Sequence, residues 1–155
     1  MLSDSQIIDQ TKQAFSDAPR PEHFTDFNHC GECQEHDDLL RSRDLDTLKL
    51  EDVGKPGWNP ICFITPEGFC YYFPALARLA LTEPTSDFGW YLLAELLFQL
   101  TYGGPQSRHF QFCSRQQRRA VAAFLRYVAE SRGARIVSEG CKDGLERAIE
   151  LWDAA

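Results

Sequence analysis

The sequence predicts one compact domain over residues 1–155, mainly α-helical with a small β-hairpin (an α+β fold). Three observations carry that expectation. Apolar residues recur at three-to-four spacing in several separate segments, the signature of amphipathic helices. One aromatic-rich stretch, Ile61 to Phe73, reads instead as two short extended runs around a turn. The chain is 43% apolar and 12% aromatic, which belongs to a folded rather than a disordered protein. A domain of this size buries roughly two thirds of the surface its unfolded chain exposes, so the core needs neither a disulfide nor a metal.

The first helix is expected over about Ser5 to Ser16. Ser3 and Gln6 have capping-box spacing, and Ile7, Ile8, Thr11, Ala14 and Phe15 repeat with helical period. Pro19 and Pro21 end it and lead into extended chain. Between Asp26 and Asp52 nine acids stand against Arg41, Arg43 and Lys49. This segment reads as a short helix from about Glu32 to Arg41 followed by turns. Gly54, Pro56, Gly57 and Pro60 mark a turn-rich connector. Ile61 to Ile64 and Phe69 to Phe73 then form the expected hairpin, reversed at Thr65-Pro66-Glu67-Gly68. A two-stranded hairpin is marginal alone and must pack on helices.

Four helices follow. Pro74 to Thr82 starts with Pro in its first turn and carries Leu76, Leu79 and Ala80 on one side. Gly89 to Leu100 is apolar nearly all round, as expected of a central helix covered by others. Ser114 to about Ser131 opens on a second capping box with Gln117, buries Val121, Phe124, Leu125 and Val128, and is expected to end at Gly133. Lys142 to Trp152 repeats Leu145, Ala148, Ile149 and Trp152. The helices from Ser114 and Lys142 are expected to cover the central one.

Charge and cysteine usage bound the function. The formal net charge is −7, which disfavours a nucleic-acid partner held by phosphate contacts. No basic stretch followed by an apolar run opens the chain, so no secretory signal is expected. The longest apolar-rich run, Trp90 to Leu100, is too short to span a bilayer. A cytoplasmic setting follows, in which the six cysteines are thiols or metal ligands. Cys62, Cys70, Cys113 and Cys141 stand singly and read as buried apolar residues.

The densest chemistry lies in an arm at about residues 24–60. Cys30 and Cys33 form a CxxC, His36 follows after two residues, and His29 precedes Cys30. Two thiolates and an imidazole suit zinc, and the short spacing lets one turn present both sulfurs to one ion. A helix starting near Glu32 places Cys33 and His36 on one face. Cys30, Cys33 and His36 are therefore the expected ligands, with His29 the nearest candidate for the fourth. His23, Asp37, Cys62, Cys70 or a water are alternatives at that position. The same residues also read as free thiols beside a surface histidine, or as a thiol–disulfide pair. The exchange reading lacks the buried strand of a thioredoxin-like unit, and Glu32, Glu35, Asp37 and Asp38 oppose thiolate formation while favouring a cation.

Other features carry weaker expectations. Gly54-Lys-Pro-Gly57 lacks the phosphate-loop pattern, no GxSxG elbow is present, and the paired acids read as a solvated face. Cysteine–histidine catalysis by Cys30, Cys33 or Cys113 with His109 or His36 is an arithmetic pairing only. Trp58 reads as a lid over the core, and Phe63, Phe69, Tyr71, Tyr72 and Phe73 read as core packing of the hairpin on helices or as a ligand groove or partner surface, to which one of Tyr71 and Tyr72 would contribute. Seven arginines and one acid fall between Arg108 and Arg135. Arg115, Arg119 and Arg126 cluster within about 40° on a helix, beside Arg118. That stripe reads as a solvated face or a match to the acidic segment, and less readily as a dock for an acidic protein, nucleic acid or a second copy of the chain.

The run His29-Cys-x-x-Cys-x-x-His-Asp37, the run Leu50-Glu-Asp-Val-Gly-x-Pro-Gly-Trp58 and the run Phe63-x-Thr-Pro-Glu-Gly-Phe-x-Tyr-Tyr-x-Pro-Ala75 resemble a small family of uncharacterised bacterial proteins. The resemblance covers roughly Phe24 to Leu81 and transfers no activity. It implies that the cysteine–histidine segment, Trp58 and the hairpin form one unit, a metal-clipped arm over a helical body. The resulting expectation is a non-catalytic, acidic interaction or regulatory protein with a protein partner and a structural zinc. The alternative is a small metal- or thiol-dependent enzyme centred on Cys30, Cys33 and His36.

Overall fold

Among the described residues eight α-helices make up the fold: α1 (Asp4–Ala14), α2 (Gly31–Arg41), α3 (Leu50–Val53), α4 (Pro66–Ala80), α5 (Asp87–Thr101), α6 (Arg108–Phe112), α7 (Arg115–Ser138) and α8 (Lys142–Asp153). The computed structural model describes residues 1–82 and 87–154, and the side chains of 87–89 lie outside the described set. Short 3₁₀ turns occupy Pro60–Phe63 and Gly104–Gln106. Both sequence-predicted capping boxes form, Ser3 with Gln6 on α1 and Ser114 with Gln117 on α7. No helix among the described residues is long and apolar enough to cross a membrane.

The expected β-hairpin is absent, and the described chain is all-α. Ile61 to Ile64 lies in and just after a 3₁₀ turn, while Phe69 to Phe73 lies inside α4. Thr65-Pro66-Glu67-Gly68 starts that helix rather than reversing a strand. Thr65 Oγ1 accepts from the Gly68 N–H at 3.1 Å, and Pro66 takes the first turn, where its missing donor costs nothing. Gly68 is needed for close approach: a Cβ there would stand 2.9 Å from Ile64 and 3.0 Å from Phe24. Among the described residues the one strand-like pairing is an isolated bridge between Thr25 and Ile64.

Pro74, expected to begin a helix, sits in the middle of α4. An internal proline costs about 3 kcal/mol through its lost hydrogen bond and ring clash. Phe69, Tyr72, Phe73 and Leu76 are all fully buried by the same helix, at roughly 1.5–3 kcal/mol for each large apolar side chain. Burial wins, and the helix runs through.

Helix α4 is the buried centre of the molecule, packed against α1, α5 and α6. Helix α5 buries Leu93, Leu96 and Leu97, as its all-round apolar pattern predicts. Its cover differs from expectation. It lies against α4, α8 and α3, while α7 packs chiefly on α1 and α8. The Trp152 indole N–H donates to the Leu100 carbonyl at 2.8 Å and fixes α8 to the end of α5.

Gly133 does not end α7. The backbone departs from helical geometry at Arg132 (φ −124°, ψ 15°) and then continues to Ser138. Arg132 donates to both Asp4 oxygens at 2.9 Å and to the Leu81 carbonyl at 2.8 Å, tying the kink to α1 and the end of α4. The stop comes at Gly140, whose positive φ of 73° closes the helix. The Cys141 N–H reaches back to the Ile136 carbonyl at 2.9 Å, the bond that characterises a Schellman ending. Other arginines of the stripe also pair locally rather than with the acidic 26–52 segment. Arg126 pairs with Asp153, Arg135 with Glu139, and Arg118 donates to the Phe110 carbonyl at 2.9 Å. Arg115 and Arg119 are solvated.

Candidate metal centre

The centre is built at the first turn of α2. Cys30 is the N-cap residue, with extended backbone (φ −162°, ψ 172°), and its Sγ accepts the Cys33 N–H at 3.4 Å. Helix periodicity brings the Cys33 side chain back over that cap, so the two sulfurs stand 3.3 Å apart. The His29 N–H bonds to the Asp26 carbonyl at 3.0 Å. That turn brings His29 Nδ1 to 3.6 Å from Cys33 Sγ. One ligand atom from each of His29, Cys30 and Cys33 lies within 4.8 Å of the others, the one such convergence of His, Cys, Asp and Glu among the described residues.

The arm carrying His29 is held by buried hydrogen bonds. Asp37 is 1% exposed. Its Oδ1 accepts the N–H groups of Phe24 at 2.6 Å and Thr25 at 3.2 Å, and its Oδ2 lies 2.7 Å from His23 Nδ1. The Thr25 hydroxyl donates to the Cys33 carbonyl at 2.6 Å. The Thr65 N–H donates to the Phe24 carbonyl at 2.8 Å. The arm is fastened to α2 and to the start of α4 by its own polar groups.

His36 does not join the three converging donors. It is fully buried between the rings of Trp58, at 4.7 Å, and Phe63, at 5.0 Å. Its Nε2 lies 3.3 Å from Glu32 Oε1, and its Nδ1 has no hydrogen-bond partner. Trp58 is therefore a lid, placed over His36 and still 42% exposed. The other candidates for a fourth ligand are engaged elsewhere. His23 faces Asp37, Cys62 donates to Glu95 at 3.2 Å, and Cys70 meets Cys113 with sulfurs 3.4 Å apart. Cys70 and Cys113 are buried as expected, whereas Cys62 is exposed and Cys141 intermediate.

Electrostatics separate the two sulfurs of the CxxC. Cys30 is pulled down to about 7, first by the Cys33 N–H and then by the Cys33 thiol and His29. Cys33 is pushed up, chiefly by its hydrogen bond with the Cys30 sulfur and then by desolvation. His29 is raised by its hydrogen bond to Cys30 and by the charge on that sulfur, with Asp26 adding to the effect. A substantial thiolate fraction near neutral pH is the form that ligates metal or attacks a disulfide. Two thiolates on one tetrahedral zinc, each at about 2.3 Å, stand roughly 3.8 Å apart. The present sulfur pair would therefore open by about half an ångström to admit the ion.

Sequence reasoning missed one cluster. Cys62, Glu95, Gln99 and His109 come together from three segments far apart in the chain, and no local spacing signals that meeting.

The chain belongs to a family of unknown function, DUF6714, whose model matches residues 3–155. No curated protein and no solved structure matches it significantly.

Proposed function

We propose that this chain is a zinc-binding interaction protein, with one ion held by His29, Cys30 and Cys33 and the fourth position left to water or to a partner side chain. The observation that carries the reading is the convergence of three borderline-soft donors at an exposed helix start. Among the described residues no further His, Cys, Asp or Glu completes the group, which fits an exchangeable site rather than a closed structural one. The fastening of the arm by Asp37 and Thr25 fits the same reading, since the scaffold does not depend on metal for its shape. The exposed edges of Trp58 and Phe63, packed on His36 one turn along α2, supply aromatic surface of the kind that interfaces favour. The reading carries with it the reducing cytoplasm, where such thiols persist.

The test is a zinc titration of reduced, metal-free protein against a chromophoric chelator. One ion per chain is expected, with Cys30→Ser and Cys33→Ser each abolishing tight binding and His29→Ala weakening it. Helical circular dichroism should stay unchanged in all three. Failure to hold zinc near neutral pH, or retention of full affinity by Cys33→Ser, refutes the proposal.

A second reading, thiol–disulfide exchange, is favoured by the placement of an exposed Cys30 sulfur 3.3 Å from that of buried Cys33. In that chemistry the Cys30 thiolate attacks a substrate disulfide and releases one thiolate. Cys33, once deprotonated, then displaces the second thiolate as the Cys30–Cys33 disulfide closes. Turnover of a small disulfide with a dithiol reductant, lost in Cys30→Ser, would establish it.

A further inference from the structure

A second site lies away from the sulfur pair. A groove of about 390 Å³ opens between the 3₁₀ turn before α4 and the segment joining α5 to α6. That volume falls in the range of small-molecule sites, roughly 300–1,000 Å³. Cys62 and Ile64 line one side, Gln99 and Tyr102 come from the end of α5 and just beyond, and Arg108 and His109 come from α6. None of the zinc-site residues touches it.

The charge pattern of this groove is lopsided. Arg108 is the one formally charged residue on its wall and enters no ion pair among the described residues. Glu95 sits behind the wall with Oε1 already accepting the Cys62 thiol at 3.2 Å and the Gln99 amide at 3.0 Å. Those bonds also fix the orientation of Gln99. His109 stacks on Phe69 with centroids 4.5 Å apart and planes at 8°, and its buried Nδ1 has no hydrogen-bond partner. Burial, and next the neighbouring Arg108 charge, hold this imidazole down to about 4, so it is neutral at pH 7. Partial desolvation of its sulfur, with Glu95 next, pushes the thiol of the solvent-exposed Cys62 up to about 12, so it is protonated at pH 7. What remains is one guanidinium, a set of neutral polar groups, and apolar surface from Ile64, Pro66 and the exposed ring of Tyr102.

We infer that this groove binds a small organic carboxylate, with the carboxylate on Arg108 and the apolar body of the molecule against Tyr102 and Ile64. A planar guanidinium fork matches a carboxylate in two parallel hydrogen bonds. A single cation with no second positive group balances a monoanion and leaves a phosphate dianion undercompensated. The five-residue α6 offers no N-terminal anion site to make up the difference. A cationic ligand meets Arg108 as a like charge.

The test uses the full chain, reduced and metal-free, followed by amide ¹H–¹⁵N spectra. Benzoate is the probe, benzamide its neutral isostere, and inorganic phosphate the competing anion. Saturable shifts are expected at Gly103, Arg108 and His109 with benzoate, at millimolar affinity, and about tenfold or more weaker binding of benzamide and phosphate. Arg108→Gln, a change at an exposed position, should weaken benzoate about tenfold without moving the melting temperature. Four results overturn the inference: no saturable shift with benzoate, equal binding of benzamide, tighter binding of phosphate, or benzoate shifts confined to residues outside the groove. Unaltered benzoate affinity in a folded Arg108→Gln protein overturns it as well. None of these outcomes bears on the zinc titration, so the two proposals stand or fall separately.

Discussion

Asp37 is the perturbation that most directly links stability to the proposed metal site. Its carboxylate is buried at 1% exposure and accepts two backbone N–H groups, at 2.6 and 3.2 Å, while facing His23 at 2.7 Å. Hydrogen bonds to a charged group contribute about 1.5–3 kcal/mol each, and a buried donor left unpaired costs about 1–3 kcal/mol. Asp37→Ala removes the acceptor and orphans the Phe24 and Thr25 donors, both in buried residues. Part of the loss is returned because a carboxylate no longer has to be desolvated. The balance is a destabilisation of about 3–5 kcal/mol. Asp37→Asn keeps an oxygen for the two N–H groups and surrenders only the charge, so about 1–2 kcal/mol is expected. Urea unfolding at pH 7, followed by far-ultraviolet circular dichroism, measures both. Because the same bonds hold the stretch that carries His29, Asp37→Ala should also weaken zinc about tenfold or more, as removal of an outer-shell support does. A loss below about 1 kcal/mol for Asp37→Ala would refute the assignment of these bonds as the fastening of the arm.

The remaining predictions concern the core and the groove. Phe124 is fully buried and meets Phe73 edge-on at 5.8 Å, so Phe124→Ala should cost about 3–5 kcal/mol in equilibrium unfolding. A value below about 1 kcal/mol contradicts its place in the core. Burial and then Arg108, with Glu67 opposing, hold His109 down from the ordinary 6.5 of the unfolded chain to about 4 in the folded one. The unfolded state therefore binds more protons between those values. The contribution is present in full above pH 6.5 and is lost as pH falls towards 4, by up to about 3 kcal/mol. His109→Phe, which retains a ring against Phe69, should reduce the stability difference between pH 7 and pH 4.5, and an unchanged difference refutes this.

Legibility in the sequence tracked the range of the interaction. Both capping boxes, the body of α2, the apolar side of α7 and the repeat of α8 were readable because each is set within a few turns of one helix. The meeting of Cys30 and Cys33 was readable for the same reason, since an N-cap residue and the residue three further on meet by helix geometry alone, whereas His36 rather than His29 was the expected third donor. Thr65-Pro66-Glu67-Gly68 was ambiguous, because Pro and Gly punctuate tight turns and helix starts alike. The aromatic run after it tilted the reading towards strand. The deciding signal was the spacing of Phe69, Tyr72, Phe73, Leu76 and Ala80, which keeps helical period straight through Pro74.

By itself, then, the sequence determined where most helices form, how α1 and α7 are capped, and that the two thiols Cys30 and Cys33 meet at one helix start. Only the tertiary structure decided that His36 turns into the cage of Trp58 and Phe63 instead of towards Cys33. It also decided that Asp37 fastens the arm, that α8 rather than α7 covers α5, and that Arg108 and His109 face Cys62 across a groove. The division has a physical cause. Capping and periodicity are settled by hydrogen bonds and side-chain spacing within a turn or two of one segment. Which partner a buried polar or aromatic group finds depends on segments tens of residues away, brought together by burial of apolar surface, a force with no direction of its own.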